Sequence, residues 1–215
     1  MVEDIIVYGS GGMAREVVEL IEDINRVSPA WNILGYLDDI KGSGGELVNG
    51  YRILGTAGWL GKSDTSCNVV LAVGNPEAKE QMLERIKTYS PRFPVLIHPS
   101  ARVARNARIG EGSIIGIDCI VSVNADIGRH VFLNMRTVVG HDTVIRDYCS
   151  CLVNCVIAGD VRIDEKTMLG SGCMIMEKMS VGKKATVGMG SIVCYDVPDG
   201  HVVMSRPSKI MYFGK

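Results

Sequence analysis

Residues 101–130 of this 215-residue chain read ARVARNARIGEGSIIGIDCIVSVNADIGRH, and an aliphatic side chain returns at every sixth position. The same step extends from Ile97 to Val193, and sixteen of its seventeen positions carry Ile, Leu or Val. Four residues after each aliphatic, the side chain is mainly small, as at Ala107 and Ser113. A period of six is neither the helical period nor the simple alternation of a strand.

This period predicts a solenoid built from short strands and turns. Each short strand would point one aliphatic side chain inward, and each corner would point one small side chain inward. Three six-residue units then form one triangular coil, and the coils stack about 4.8 Å apart. The period is unbroken, so we expect no inserted loop and somewhat under six coils. Most of the cysteines fall on the two inward positions, where we expect small core residues rather than ligands or nucleophiles: Cys119, Cys149, Cys151, Cys155 and Cys173.

The first hundred residues have a different pattern. The stretch DIIVYGSGGMAREVVELIEDIN, residues 4–25, predicts a buried strand over Ile5–Tyr8, a glycine turn and a helix. Two further strands are predicted in WNILGYLDD and CNVVLAV, and a second helix begins with Asn75 as N-cap and Pro76 as first residue. Alternating strands and helices predict a small parallel sheet, with ligands at the carboxyl ends of its strands.

Composition and charge exclude some functions. The net charge is −1 with no basic stripe, so we expect no nucleic-acid partner. No apolar stretch approaches the length of a membrane span, and the N-terminus does not resemble a signal peptide, so we expect a cytoplasmic protein without membrane insertion. There is no CxxC pair or Cys/His cluster at zinc spacing, and we expect no metal.

The glycine turn, residues 9–12, would let a phosphate approach backbone N–H groups at a helix N-terminus, although it is not the full GxGxxG dinucleotide pattern. Asp38, at the end of the second predicted strand, could accept hydrogen bonds from a ribose or a base. It could equally be a solvated acid at a strand end. The sequence leaves both interpretations open.

A family resemblance adds to these patterns. The six-residue array, HPSA at 98–101, GHD at 140–142 and VVMSRPSKI at 202–210, together with YGSGG and LDD in the first domain, resembles the PglD/NeuD-type sugar acetyltransferases. These belong to the left-handed β-helix superfamily, and the resemblance covers essentially the whole chain. It implies a Rossmann-like nucleotide-sugar-binding domain over 1–96, a left-handed parallel β-helix acetyltransferase domain over 97–198 and a closing segment over 199–215.

The resemblance also implies an activity. Similar proteins are homotrimers that use acetyl-CoA, and many N-acetylate a nucleotide-linked amino sugar, while others O-acetylate sialic acids. His141 matches the family's general base, Asp142 the acid that follows it, and Gly159 a glycine whose N–H faces the thioester carbonyl. The residues that match the nucleotide-sugar site are Gly9, Ser10, Gly11, Gly12, Asp38 and Asp39. Three features depart from the family. Met13 stands where relatives often carry histidine, Ser150 stands where some carry a second active-site histidine, and residues 204–209 read MSRPSK where the family usually has VGNPAK.

The chemistry gives His141 a reason to be there. Acetyl transfer needs a base at neutral pH, and imidazole has a suitable pKa. His141 comes two residues after the inward Val139, so we expect it on a turn or the outer face; Asp142 can orient it only if the turn redirects the carboxylate. For His98, His130 and His201 we expect structural or solvent-exposed roles. Coenzyme A should lie between neighbouring prisms, and its phosphates could meet basic residues that are otherwise ordinary solvated charges: Lys178, Lys183, Lys184, Arg206 and Lys209.

Three alternatives remain at this point. A zinc enzyme resembling the trimeric γ-type carbonic anhydrases would need three converging histidines, and only His130 and His141 lie in the middle of the array. A non-catalytic trimer that binds a nucleotide sugar is the second. The third is a sugar O-acetyltransferase, which would use the same base and thioester; Asp38 with the glycine turn favours a UDP- or GDP-linked amino sugar over free sialic acid.

Overall fold

The computed structural model describes residues 2–42, 45–62 and 67–206. Its first part is an α/β domain, and its second part is a triangular prism of stacked parallel strands, as predicted. The elements of the α/β domain are β1 (Glu3–Tyr8), α1 (Gly12–Val27), β2 (Trp31–Leu37), β3 (Leu47–Val48), β4 (Tyr51–Gly55), β5 (Asn68–Leu71) and α2 (Pro76–Ile86), with short 3₁₀ turns at Ala57–Lys62 and Lys87–Tyr89.

The sheet of the α/β domain has the order β3-β4-β2-β1-β5. All pairs are parallel except the hairpin β3–β4, which the sequence analysis did not predict. Central strand β1 is fully buried over Ile5–Tyr8 because apolar clusters cover both faces of the sheet. The chain leaves β1 toward β2 on one side and later returns to β5 on the other, so the carboxyl ends of β1 and β5 flank the crevice where ligands bind in such sheets.

The prism consists of two-residue strands in three parallel sheets, one per face. Partners are 18 residues apart over most of the prism, as in Val121–Val139 and Val139–Ile157, so three six-residue units make one coil. The closing coil is shorter, because Val203 pairs with Val187, 16 residues earlier. The first face contains Leu96–Ile97, Ile114–Ile115, Phe132–Leu133, Ser150–Cys151, Met168–Leu169, Thr186–Val187 and Val202–Val203. The second contains Arg102–Val103, Ile120–Val121, Val138–Val139, Val156–Ile157, Met174–Ile175 and Ile192–Val193. The third contains Arg108–Ile109, Asp126–Ile127, Val144–Ile145, Arg162–Ile163 and Ser180–Val181.

The inward aliphatics and the five inward cysteines form the buried core of this left-handed β-helix. Ile97 is an exception to the predicted pattern, because it lies on the terminal strand of the first face and is partly exposed. Many corners pass through a residue with left-handed backbone, such as Asn124 and Asp142, both at φ 57°. Asn and Asp adopt this conformation more readily than most side chains, which explains their frequency at the corners.

The two domains pack together through apolar and polar contacts. Outward side chains of the first face, Leu96, Ile114 and Phe132, join the apolar cluster beneath α1. Beside them, α2 lies on the corner between the third and first faces and inserts Lys79, whose Nζ donates to the carbonyl oxygens of His130 at 3.1 Å and Cys149 at 3.0 Å. The α/β domain is therefore fixed on one side of the prism. No described helix is both long and apolar enough to cross a membrane.

Candidate active site and nucleotide pocket

His141 lies at the corner between the second and third faces, and its side chain is 62% exposed. Asp142 follows with φ 57°, and this left-handed turn brings its carboxylate back beside the imidazole. The distance from His141 Nδ1 to Asp142 Oδ2 is 2.9 Å. The separation expected of neighbouring residues on a strand does not apply here, because both residues belong to the turn.

Residues of the adjacent coils complete this corner. Asn124 lies one coil earlier, and its Nδ2 donates to Asp142 Oδ1 at 2.9 Å. Gly159 lies one coil later, directly against the imidazole: a Cβ built on it would be 2.5 Å from His141 Nε2. The sequence analysis named Gly159 but missed Asn124, although the 18-residue coil would have placed it beside Asp142.

The hydrogen bonds favour one protonation state at this corner. The amide of Asn124 and then the imidazole of His141 donate to Asp142, and they lower the pKa of that carboxyl below its usual value. An ionised Asp142 accepts from a protonated Nδ1, which leaves the lone pair on Nε2. The imidazole therefore presents a base at Nε2, on the side where Gly159 lies.

A second candidate site lies at the carboxyl ends of β1, β2 and β5. It is a cavity of about 480 Å³, and all six residues predicted for the nucleotide-sugar site line it: Gly9, Ser10, Gly11, Gly12, Asp38 and Asp39. Gly9 has φ 111°, and a Cβ there would be 2.8 Å from the carbonyl oxygen of Ala72, so only glycine fits. Gly11 is the N-cap of α1 and contributes no side-chain cap, so the first N–H groups of the helix remain available to an anion.

The two acids of this pocket are bound by the protein itself. Asp38 accepts from Ser10 Oγ at 2.5 Å and from the backbone N–H groups of Ile40 and Lys41 at 2.9 Å. Burial acts to raise the pKa of Asp38, but these hydrogen bonds outweigh it and the pKa is lowered. Asp38 is therefore an ionised, fixed part of the pocket wall.

Asp39 is held in the same way by three donors. They are Tyr8 Oη at 2.5 Å, Arg85 Nη1 at 2.6 Å and the backbone N–H of Ala57 at 2.9 Å. Burial acts to raise its pKa, and the hydrogen bonds again lower it overall. Gln81 and Arg85 of α2 also line the cavity, and they were not predicted from the sequence.

Residues 4–86 match the PglD N-terminal domain family. The matched residues span the α/β domain from β1 to the end of α2. This match and the hexapeptide-repeat prism together confirm the resemblance found in the sequence.

Relatives resemble the chain over almost its whole length. GDP-perosamine N-acetyltransferase of Escherichia coli O157:H7 is 28% identical in an alignment 211 residues long that covers 95% of this chain and 95% of the relative. The acetyltransferase domain of PglB from Neisseria gonorrhoeae FA1090, solved with acetyl coenzyme A, has a TM-score of 0.87 at 28% identity and covers 98% of this chain and 100% of its own. PerB from Caulobacter crescentus, solved with CoA and GDP-perosamine, shares the fold with a TM-score of 0.86 at 23% identity over 99% of each chain.

The residues predicted to contact coenzyme A lie on different parts of the chain. Lys178 is on the same corner as His141, and its backbone N–H donates to the carbonyl oxygen of Gly159 at 3.1 Å. Lys183 and Lys184 lie on the corner between the third and first faces, where they pair with Glu165 at 3.7 Å and Glu77 at 3.6 Å. Arg206 is exposed in the closing segment, and Lys209 lies outside the described residues.

The other histidines have structural surroundings. His98 contacts Asp23 through Nε2 at 2.9 Å and Ser100 through Nδ1 at 2.8 Å, which ties α1 to the prism. His130 lies on a turn, but its ring is buried; burial and then the nearby Lys79 lower its pKa to about 4. Among the described residues, no three His, Cys, Asp or Glu side chains form a group that could hold a metal ion.

Proposed function

We propose that this protein is an acetyl-CoA-dependent N-acetyltransferase that acts on the amino group of a UDP- or GDP-linked amino sugar. The observation that carries the proposal is the exposed imidazole of His141, with Asp142 at Nδ1 and Gly159 beside Nε2. The pocket in the PglD-type domain supplies a site for the nucleotide. The relative from E. coli is named for a GDP-linked sugar, so a GDP-linked amino sugar is the first acceptor to test.

The reaction is a direct transfer. The amine nitrogen attacks the thioester carbonyl carbon, and His141 Nε2 accepts the proton that the nitrogen loses as the tetrahedral intermediate forms. The carbon–sulfur bond then breaks, and the imidazolium returns the proton to the departing thiolate. General-base catalysis of this kind contributes about 10²–10⁴ in rate.

Gly159 provides the donor for the oxyanion. Its backbone N–H has no acceptor among the described residues, whereas the N–H groups of Ala158 and Asp160 donate to the neighbouring coils. A free N–H beside Nε2 is suited to the developing negative charge of the thioester oxygen. One such donor is worth about 3 kcal/mol in the transition state.

The positions of the two sites support a homotrimer. The nucleotide pocket is on the α/β domain, which packs on the first face, whereas His141 is on the corner between the other two faces. A neighbouring chain is needed to bring the acceptor to the base, with acetyl-CoA in the groove between prisms. The second face supports this arrangement, because its outward side chains Ile120, Met174 and Ile192 are exposed and apolar. We place this assembly in the cytoplasm, where acetyl-CoA is available.

A thiol-release assay with acetyl-CoA tests the proposal. Acceptors are GDP-, UDP- and dTDP-linked amino sugars and free sialic acid, and the variants are His141→Ala and, as a control, His201→Ala. His201 is an exposed histidine of the same prism, and among the described residues its side chain hydrogen-bonds to the backbone carbonyl of Asp199 alone. We expect turnover with a nucleotide amino sugar, a loss of at least about 100-fold for His141→Ala and none for His201→Ala.

Three results would contradict the proposal. Turnover with sialic acid alone would indicate an O-acetyltransferase. Binding of a nucleotide sugar without release of thiol would indicate a non-catalytic trimer. Near-normal turnover by His141→Ala would mean that another group is the base.

A further inference from the structure

Asn124 is the side chain that holds Asp142 in place. The two residues are 18 positions apart on one corner and share the same left-handed backbone conformation, at φ 57°. The backbone N–H of Asp142 donates to the carbonyl oxygen of Val123 at 3.0 Å, so the two turns are already connected. The amide of Asn124 then reaches Asp142 Oδ1 at 2.9 Å.

Chemistry fixes the direction of this hydrogen bond. An ionised carboxylate can only accept, so the NH₂ end of the Asn124 amide faces Asp142. Asp142 Oδ1 accepts from this amide and Oδ2 accepts from the His141 imidazole, so the carboxylate cannot rotate without losing one of the two bonds. Among the described residues, no other side chain contacts the Asp142 carboxylate.

The Asp142 carboxylate needs to be held in place because both it and the His141 imidazole are exposed to water. The side chains of His141 and Asp142 are 62% and 52% accessible, and water competes for their hydrogen bonds at such positions. A carboxylate that turned away would leave Nδ1 without its acceptor, and the imidazole would lose its preference for a proton on Nδ1. Nε2 would then carry the proton in part of the molecules, and those molecules would lack the base.

We propose that Asn124 is a positioning residue for acetyl transfer: it holds the Asp142 carboxylate so that His141 presents an unprotonated Nε2 to the acceptor. This inference rests on the proposed role of His141 as general base. The competing explanation is that Asn124 serves only the turn, as other residues with left-handed backbone do at other corners. Asn154 is the matched case, because it has φ 60° at a different corner and its side chain has no partner among the described residues.

Two substitutions separate these explanations. Asn124→Gly removes the donor and keeps the left-handed backbone; we expect kcat to fall by about tenfold with little change in KM for acetyl-CoA, because a hydrogen bond to a charged group is lost. Asn124→Asp keeps the shape but places a negative charge beside Asp142 and His141. That charge stabilises the imidazolium, so the acidic limb of the kcat/KM profile moves to higher pH.

The controls are the same two substitutions at Asn154, which we expect to leave both kcat and the pH profile unchanged. In an Asp142→Asn background, Asn124→Gly should cause no further loss, because Asn124 acts through Asp142. Wild-type kcat and an unmoved acidic limb in both Asn124 variants, with His141→Ala inactive, would overturn this inference and leave the proposed function standing. An active His141→Ala would overturn both.

Discussion

Gly159→Ala tests the geometry of the site with one methyl group. The φ angle at Gly159 is outside the positive range that excludes alanine, so the backbone accepts the substitution. The new Cβ would lie 2.5 Å from His141 Nε2, whereas ordinary contacts lie at 3.4–4 Å. The imidazole must therefore retreat from Gly159. A displacement of about 1 Å at a reacting group costs about 100-fold in rate, and we expect a loss of that order in kcat.

The assay is steady-state thiol release with the best acceptor, combined with the midpoint of thermal unfolding. His141 is exposed and can rotate away, so we expect the stability of Gly159→Ala to stay within about 0.5 kcal/mol of wild type. Gly58→Ala is the control. A Cβ on Gly58 would make an ordinary contact with Thr56 Oγ1 at 3.7 Å, and Gly58 lies in the α/β domain rather than on the corner of His141. In a His141→Ala background the Gly159 substitution should add little. Full activity of Gly159→Ala would refute the position assigned to the imidazole.

Three further predictions concern other parts of the molecule. Burial lowers the pKa of Lys79 from 10.5 to about 7, so the folded state releases this proton at a lower pH than the unfolded state. The contribution of Lys79 to the free energy of unfolding should therefore rise by up to about 5 kcal/mol between pH 7 and 10.5, and chemical denaturation should show the difference between wild type and Lys79→Met growing by that amount in favour of wild type. Asp39→Asn leaves one acceptor oxygen for the donors Tyr8, Arg85 and Ala57; we expect the free energy of unfolding to fall by about 1–3 kcal/mol and KM for the nucleotide sugar to rise, with KM for acetyl-CoA unchanged. Met174→Glu places a charge on the apolar second face, and light scattering should detect monomers with little thiol release; a fully active trimer would show that this face is not the interface.

The prism could be predicted because its sequence signal is local and repeated. Each six-residue unit specifies one strand and one corner, so the core follows from the period alone. The same register places His141 outside, two residues after the buried Val139. The position of the Asp142 carboxylate could not be predicted, because it depends on the left-handed backbone of that one residue.

In the α/β domain the cavity was predicted from the sequence, whereas the β3–β4 hairpin and the burial of Lys79 were not. The predicted strands converge at their carboxyl ends, which is why six residues from separate segments line one cavity. The β3–β4 hairpin was missed although its turn, Asn49–Gly50, with φ 45° and 86°, is a typical hairpin signal. Lys79 carried no such signal, since its burial depends on how α2 packs on the prism rather than on its neighbours in sequence.

Each coil of the prism pairs with the coil before and the coil after, through partners 18 residues apart except at the closing end, where Val187 and Val203 are 16 apart. This architecture therefore tolerates the insertion or deletion of whole coils. Duplicating residues 162–179, which form one regular 18-residue coil, would lengthen the prism by about 4.8 Å and leave His141, Asp142 and Gly159 in place. A single residue inserted between 142 and 159 would shift every later side chain out of register and separate the imidazole from the glycine it now faces.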